Sequence, residues 1–235
     1  MKKFSIVIPL YNEAMNINIL FNEIIKALKD YDKSHFELIL VNDGSSDDTE
    51  RFVKNLEKHI FVKCIYQNEN HGQSYSIHNG IKNSKFDTIV TLDGDGQNDP
   101  KDINKLLNLY FDKNEYSLIS GIRIVRKDSY LKIISSKVAN KIRSHILKDN
   151  CPDTGCSLKV FDKNIFLKFP YFNGIHRFIP ALFIGFGFNV SYVPVNHRLR
   201  LNGNSKYGTI DRLIKGIKDL ILVKKIIKNN KKYNL

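Results

Sequence analysis

Thr88-Ile-Val-Thr-Leu-Asp93-Gly-Asp95-Gly-Gln97-Asn-Asp99-Pro100 decides the fold class of this chain. A short apolar, β-branched run stops abruptly at an acidic, glycine-rich loop, and strand ends are where an α/β sheet presents its chemistry. In extended backbone, residues two apart point the same way, so Asp93 and Asp95 can converge on one hard cation. Oxygen donors of this kind suit Mg²⁺ or Mn²⁺, which complete their shells with substrate phosphate. Gly94 and Gly96 remove side chains where a ligand would approach the backbone. Asp99 can cap the next helix, with Pro100 at its first position and Asp102 in its first turn. The competing reading is a plain Asp/Gly turn between strand and helix.

Two further strand ends repeat the pattern. Phe36-Glu-Leu-Ile-Leu-Val41 reads as a buried strand that runs into Asn42-Asp43-Gly-Ser-Ser46-Asp47-Asp-Thr49. Asp43 at its tip can hydrogen-bond a base or ribose, and Ser46 or Asp47 can cap the helix that follows. Phe4-Ser-Ile-Val-Ile-Pro9 is a strand, Leu10-Tyr11-Asn12-Glu13 its loop, and Ile17, Leu20, Phe21, Ile24, Ile25 and Leu28 then recur at helical spacing. The alternation predicts strands at 4–8, 37–41, 61–66, 87–92 and 117–120, with helices at 16–29, 48–57, 72–82 and 100–111. This is an α/β, Rossmann-like, mainly parallel sheet with a nucleotide-sized crevice along one edge. After Gly121 the order is less regular. A helix is expected at 130–147, a loop at 151–155, a strand at 157–161 and a short helix from a capping Asp162 to Lys168. A helix at 175–186, a strand at 190–195 and an amphipathic helix at 210–228 complete the reading.

These blocks resemble the family 2 glycosyltransferases, which have the GT-A fold. The matching signatures are Pro9-Leu-Tyr11-Asn12-Glu13, Asn42-Asp43-Gly-Ser-Ser-Asp47-Asp-Thr49, Asn70-His71-Gly72 and Asp93-Gly-Asp95-Gly-Gln97. More narrowly, the chain is similar to the polyprenyl-phosphate sugar transferases, the dolichol-phosphate mannosyltransferase group. That likeness rests on Gln97 and Pro100, Asp153-Thr-Gly155-Cys156-Ser157, His176-Arg177-Phe178-Ile-Pro180-Ala181, and His197-Arg198-Leu-Arg200 with Gly203-Asn-Ser-Lys206-Tyr-Gly208. It spans about residues 4–212.

The resemblance implies inverting transfer of a hexose from a nucleotide-diphosphate sugar to a polyprenyl phosphate. Mannose from GDP-mannose is the first choice and glucose from UDP-glucose the second. The nucleotide-sugar would meet Pro9, Tyr11, Glu13, Asp43, Gly72 and Asp93; Asp93, Asp95 and Gln97 would hold Mg²⁺ or Mn²⁺. Asp93, Asp95, Arg123 and Arg200 would form the catalytic set, and Arg123, Ser135, Arg200 and Lys206 would hold the lipid phosphate. A further acceptor-side Arg of the family falls near Leu131, which cannot replace it; Arg126 or Lys132 can compensate. A phosphate monoester is already ionised near neutral pH and needs positioning and charge neutralisation, not a general base. Asp153 is therefore read as orienting a loop Arg, His176 and Arg177 as interior contacts or loop anchors, and His71 as a solvated neighbour.

The chain of 235 residues carries a net charge of +13, and residues 196–235 hold 11 Lys or Arg against 2 Asp. A basic end of this kind points to an acidic partner: an anionic membrane surface, a lipid phosphate or nucleic acid. Nucleic acid is disfavoured, because no basic helix interleaves aromatics and three acidic strand ends would repel phosphate without a metal. Helix 210–228 can pack on the domain or lie on anionic lipid. We divide the chain into a catalytic domain, 1–209, and a basic amphipathic helix and tail, 210–235. Cys64, Cys151 and Cys156 show no disulfide or zinc spacing and fit a reducing compartment. No signal peptide or spanning segment is read, so the expected location is peripheral, on the cytoplasmic membrane face, with an integral-membrane partner as one means of recruitment. The alternatives carried forward are a family 2 enzyme acting on an alcohol and, outside enzymes, a nucleic-acid-binding module.

Overall fold

The computed structural model describes residues 2–113, 115–124, 141–200 and 209–230. Among the described residues, seven strands form one sheet: β1 (Phe4–Leu10), β2 (Phe36–Asp43), β3 (Val62–Gln67), β4 (Thr88–Thr91), β5 (Leu118–Arg123), β6 (Lys159–Asp162) and β7 (Val190–Val195). Their order is β3-β2-β1-β4-β6-β5-β7. β6 runs antiparallel to both neighbours, and every other pairing is parallel. The helices are α1 (Ala14–Ala27), α2 (Thr49–Leu56), α3 (Gln73–Lys82), α4 (Asp102–Lys113), α5 (Lys163–Lys168), α6 (Ile179–Gly185) and α7 (Thr209–Lys228). Residues 141–147 are also helical; the rest of the helix expected at 130–147 lies outside the described residues.

Alternation along β1 builds both cores. Phe4, Ile6 and Ile8 face α1, α2 and α4, packing with Leu20, Ile24, Val53 and Leu106. Val7 faces the other layer with Ile77 and Ile81 of α3, Phe183 of α6 and Val223 of α7. Successive residues of a strand point to opposite faces, so one β-branched run serves two helical layers. The mainly parallel sheet flanked by helices is the architecture read from the sequence.

Two local differences have physical causes. The helix expected at 175–186 is two pieces, a 3₁₀ turn at Ile175–Arg177 and α6, because Pro180 has no N–H to bond back and belongs in a first turn. α4 begins at Asp102, not at Pro100; Asp99 accepts from the Lys101 backbone at 3.1 Å and closes the preceding turn. Asp162 caps α5 as expected, accepting from the Ile165 backbone at 2.9 Å. α7 seats Val223 and Ile226 in the core but leaves Ile217, Ile221 and Leu222 exposed. Among the described residues, no helix is long and apolar enough to cross a membrane.

Candidate active site

The ends of β1, β2, β3 and β4 meet along one edge, and hydrogen bonds fasten their loops together. Asn12 donates its backbone N–H to Ser45 Oγ at 3.0 Å and accepts at Oδ1 from the Ser46 backbone at 2.8 Å. The Glu13 backbone donates to Thr49 Oγ1 at 2.8 Å, and Asp47, at the start of α2, accepts from the backbones of Ala14 and Thr49. Asp43, 2% exposed, accepts from Gln67 Nε2, Asn70 Nδ2 and the backbones of His71 and Gly72 at 2.8–3.1 Å. Its carboxylate thus shapes the loop that opens α3.

The acid pair follows β4. Gln73, the first residue of α3, donates to Asp93 Oδ1 at 2.7 Å. Part of Asp93 is accessible, yet loss of water around its carboxylate pushes its pKa up to about 6, and the charge of Asp95 pushes the same way. A hydrogen bond from Ser157 and the charges of Lys159 and Arg123 oppose that rise. Gly94 has a packing reason: a Cβ there would lie 2.5 Å from Leu10 Cδ2 and 3.2 Å from the Pro9 carbonyl. That reason stands beside the ligand approach read from the sequence.

A carboxylate whose proton affinity is raised by burial and by a neighbouring carboxylate is a site a divalent cation would relieve. Among the described residues no group of three or more His, Cys, Asp or Glu could hold a metal. Two carboxylates are fewer donors than an all-protein metal cage needs, so a Mg²⁺ or Mn²⁺ ion here would have to complete its shell with amide, water and phosphate oxygens. Gln97 lies in the same loop; its backbone donates to Asp95 Oδ1 at 3.1 Å and its carbonyl accepts from the Arg198 backbone at 2.9 Å.

Those bonds, with the Asn98–His197 bridge, lay residues 197–200 along the acidic loop. Arg200 donates to Glu13 Oε1 at 2.8 Å and sits 3.9 Å from Asp95 Oδ2. Arg198 forms a two-point pair with Glu23 at 2.8 Å, which holds the Glu23 carboxyl below its ordinary range. Arg123 donates through Nε and Nη2 to the two oxygens of Asp153, each at 2.7 Å. Asp153 therefore orients Arg123, as read from the sequence, and His176 and Arg177 make interior contacts. His71 is exposed against Tyr75. Ser135 and Lys206, with Arg126 and Lys132, lie outside the described residues.

The structure adds Gln73, Glu23 and Lys159 to the residues chosen from the sequence. Lys159 is 2% exposed, and its ammonium donates to the Cys156 carbonyl. A lysine inside the apolar run Leu158-Lys-Val-Phe161 was the available signal.

Comparison with known proteins identifies the family and the fold. Residues 5–169 match the family described as glycosyl transferase family 2, and the chain belongs to that family. A dodecaprenyl-phosphate galacturonate synthase of Rhizobium johnstonii is 34% identical, over 94% of this chain and 66% of its own length. An undecaprenyl-phosphate 4-deoxy-4-formamido-L-arabinose transferase of Yersinia pestis is 33% identical, over 94% of this chain and 67% of its own. The chain thus spans about two thirds of the length of these relatives. Glucosyl-3-phosphoglycerate synthase from Mycobacterium tuberculosis, solved with Mn²⁺, UDP-glucose and phosphoglyceric acid, superposes with a TM-score of 0.71 at 17% identity, covering 94% of this chain and 78% of that one. S. aureus TarS 1-349 with UDP-GlcNAc gives 0.66 at 16% identity, with 94% and 66% covered. Both have the fold of this chain.

Proposed function

We propose that this chain transfers a sugar from a nucleotide-diphosphate sugar to a polyprenyl phosphate. The observation that carries the reading is Arg200 beside Asp95, two residues from Asp93, in a chain whose relatives are named for a polyprenyl phosphate. The nucleotide would lie against Pro9, Tyr11, Glu13 and the Asp43–Gly72 loop. Asp93, Asp95 and Gln97 would hold Mg²⁺ or Mn²⁺, which supplies positive charge to the leaving diphosphate. On the acceptor side, Arg123 and Arg200, with Ser135 and Lys206, would hold the lipid phosphate in line with the sugar carbon. An alcohol acceptor would need a base; Asp153 is already engaged with Arg123.

The sugar is where the expectation and the relatives part. Neither relative described above is named for mannose or glucose; galacturonate and 4-deoxy-4-formamido-L-arabinose are the sugars in their names. We therefore place these two ahead of mannose and glucose. Residues 210–235 would lie at an anionic membrane surface, peripheral on its cytoplasmic face, with an integral-membrane partner as a second means of recruitment.

The test is a panel of radiolabelled UDP- and GDP-sugars with polyprenyl phosphate and Mg²⁺ or Mn²⁺. Label moving into the lipid fraction with one donor, and staying out of it in EDTA, is the expected result. Transfer to alcohols but never to lipid phosphate would overturn the acceptor assignment.

A further inference from the structure

The turn at 174–177 joins two parts of the molecule that are far apart in sequence. Ser74, in the first turn of α3, is 1% exposed. Its Oγ accepts from the Gly174 backbone at 2.8 Å and lies 2.6 Å from His176 Nδ1. Gln73, beside it, donates to Asp93. On the other side of the turn, Arg177 Nη2 donates to Asp219 Oδ2 of α7 at 2.6 Å. Gly174 has φ +127°, and a Cβ there would lie 2.5 Å from Asp219 Oδ2 and 3.1 Å from Arg177 Nη2. Only glycine accommodates both the backbone and the ion pair that closes over it.

Asp219 is only 8% exposed. A buried carboxylate is costly unless paired, whereas Val223 and Ile226 anchor the same helix without that cost. Holding α7 down does not require this residue; fixing the turn beneath it does. The contacts run in series from α7 through Arg177 and Gly174 to Ser74, and from the start of α3 through Gln73 to the acid pair.

We propose that α7 is a positioning element of the donor site, with Asp219, Arg177 and Gln73 as positioning residues. The Asp219–Arg177 pair fixes the 174–177 turn, the turn fixes Ser74, and the start of α3 sets the Gln73 amide against Asp93. This rests on reading Asp93 as a donor-side acid.

Two measurements on the full chain decide it. The first is amide hydrogen exchange without ligand. In Asp219→Asn, exchange at residues 73–77 should rise about tenfold, with β1 and β2 unchanged. A rise confined to α7 would make Asp219 a plain anchor and overturn the proposal. Should Asp219→Asn lose its cooperative melt, Arg177→Lys, which keeps the charge but loses the planar fork, serves in its place with the same expected outcome. The second is calorimetry of UDP and GDP with Mn²⁺. Asp219→Asn and Gln73→Ala should each weaken Mn²⁺-dependent nucleotide affinity about tenfold, and the double variant should lose no more than either alone; additive losses would refute the coupling. If the native chain binds neither nucleotide, the donor-site reading fails, and the exchange data still decide the coupling.

Discussion

Replacing Asp153 by Asn removes a charge from a carboxylate that the structure uses at both oxygens. Oδ2 accepts from Arg123 Nε at 2.7 Å and from the Arg123 backbone at 3.2 Å; Oδ1 accepts from Arg123 Nη2 at 2.7 Å and the Gly155 backbone at 3.2 Å. The side chains are 12% and 6% exposed, so solvent does little to screen the pair. An Asn keeps one acceptor oxygen and turns an NH₂ toward donors, leaving a guanidinium enclosed without its counter-charge. Removing one partner of such a pair costs about 3–5 kcal/mol. For a domain of this size that lowers Tm by roughly 6–20 °C. A thermal melt and a urea titration, each followed by circular dichroism, measure it. The double variant Arg123→Met/Asp153→Leu, which removes both charges, should recover most of the lost stability. If Arg123 holds the acceptor phosphate, that double variant should still fail to transfer sugar to lipid. An unchanged urea midpoint for Asp153→Asn would refute the energetic argument, and full transfer by the double variant would remove Arg123 from the acceptor site.

Asp95→Asn should lower transfer by about 10²–10³-fold, since it withdraws a charge from the leaving-group side, and EDTA should abolish turnover; full activity in either case would end the metal assignment. Arg200→Ala should raise the KM for polyprenyl phosphate more than it changes nucleotide-sugar affinity in calorimetry, and equal losses would put Arg200 on the donor side. Ile217→Ser/Ile221→Ser alters only exposed positions and should keep Tm while weakening sedimentation with anionic vesicles; salt should release the native chain, because each surface Lys contributes on the order of 1 kcal/mol. Arg198 holds Glu23 below its ordinary value of 4.5, so this pair stabilises the fold above that pH and the contribution fades as pH falls through the lowered value. Comparing melts of native chain and Glu23→Gln should give a difference below about 1 kcal/mol at pH 7 that shrinks toward pH 3, the pair being partly exposed; a difference growing on acidification would contradict this.

The acids of the site were legible because they depend only on local signals. A strand ends, a helix begins, and Asp43, Asp93 and Asp95 stand between, where period-two alternation gives way to helical spacing. Their partners depend on sheet order. Arg123 and Asp153 are 30 residues apart, Glu23 and Arg198 175, and Glu13 and Arg200 187. No spacing rule spans such distances. The decisive element is β6, which enters antiparallel between β4 and β5. It carries Lys159 to the side of Asp93, and the loop before it carries Ser157 there and Asp153 to Arg123. A strand of four residues, Lys-Val-Phe-Asp, gives little hint of direction or neighbours. Asp43 shows the same division. Its place at the end of β2 was readable, but its four donors come from the end of β3 and the loop after it, 24 to 29 residues later, and they make it a shaper of that loop as well as a candidate nucleotide contact. Local pattern thus locates the charges that need a cation. Topology, which the pattern leaves open, determines which cations reach them.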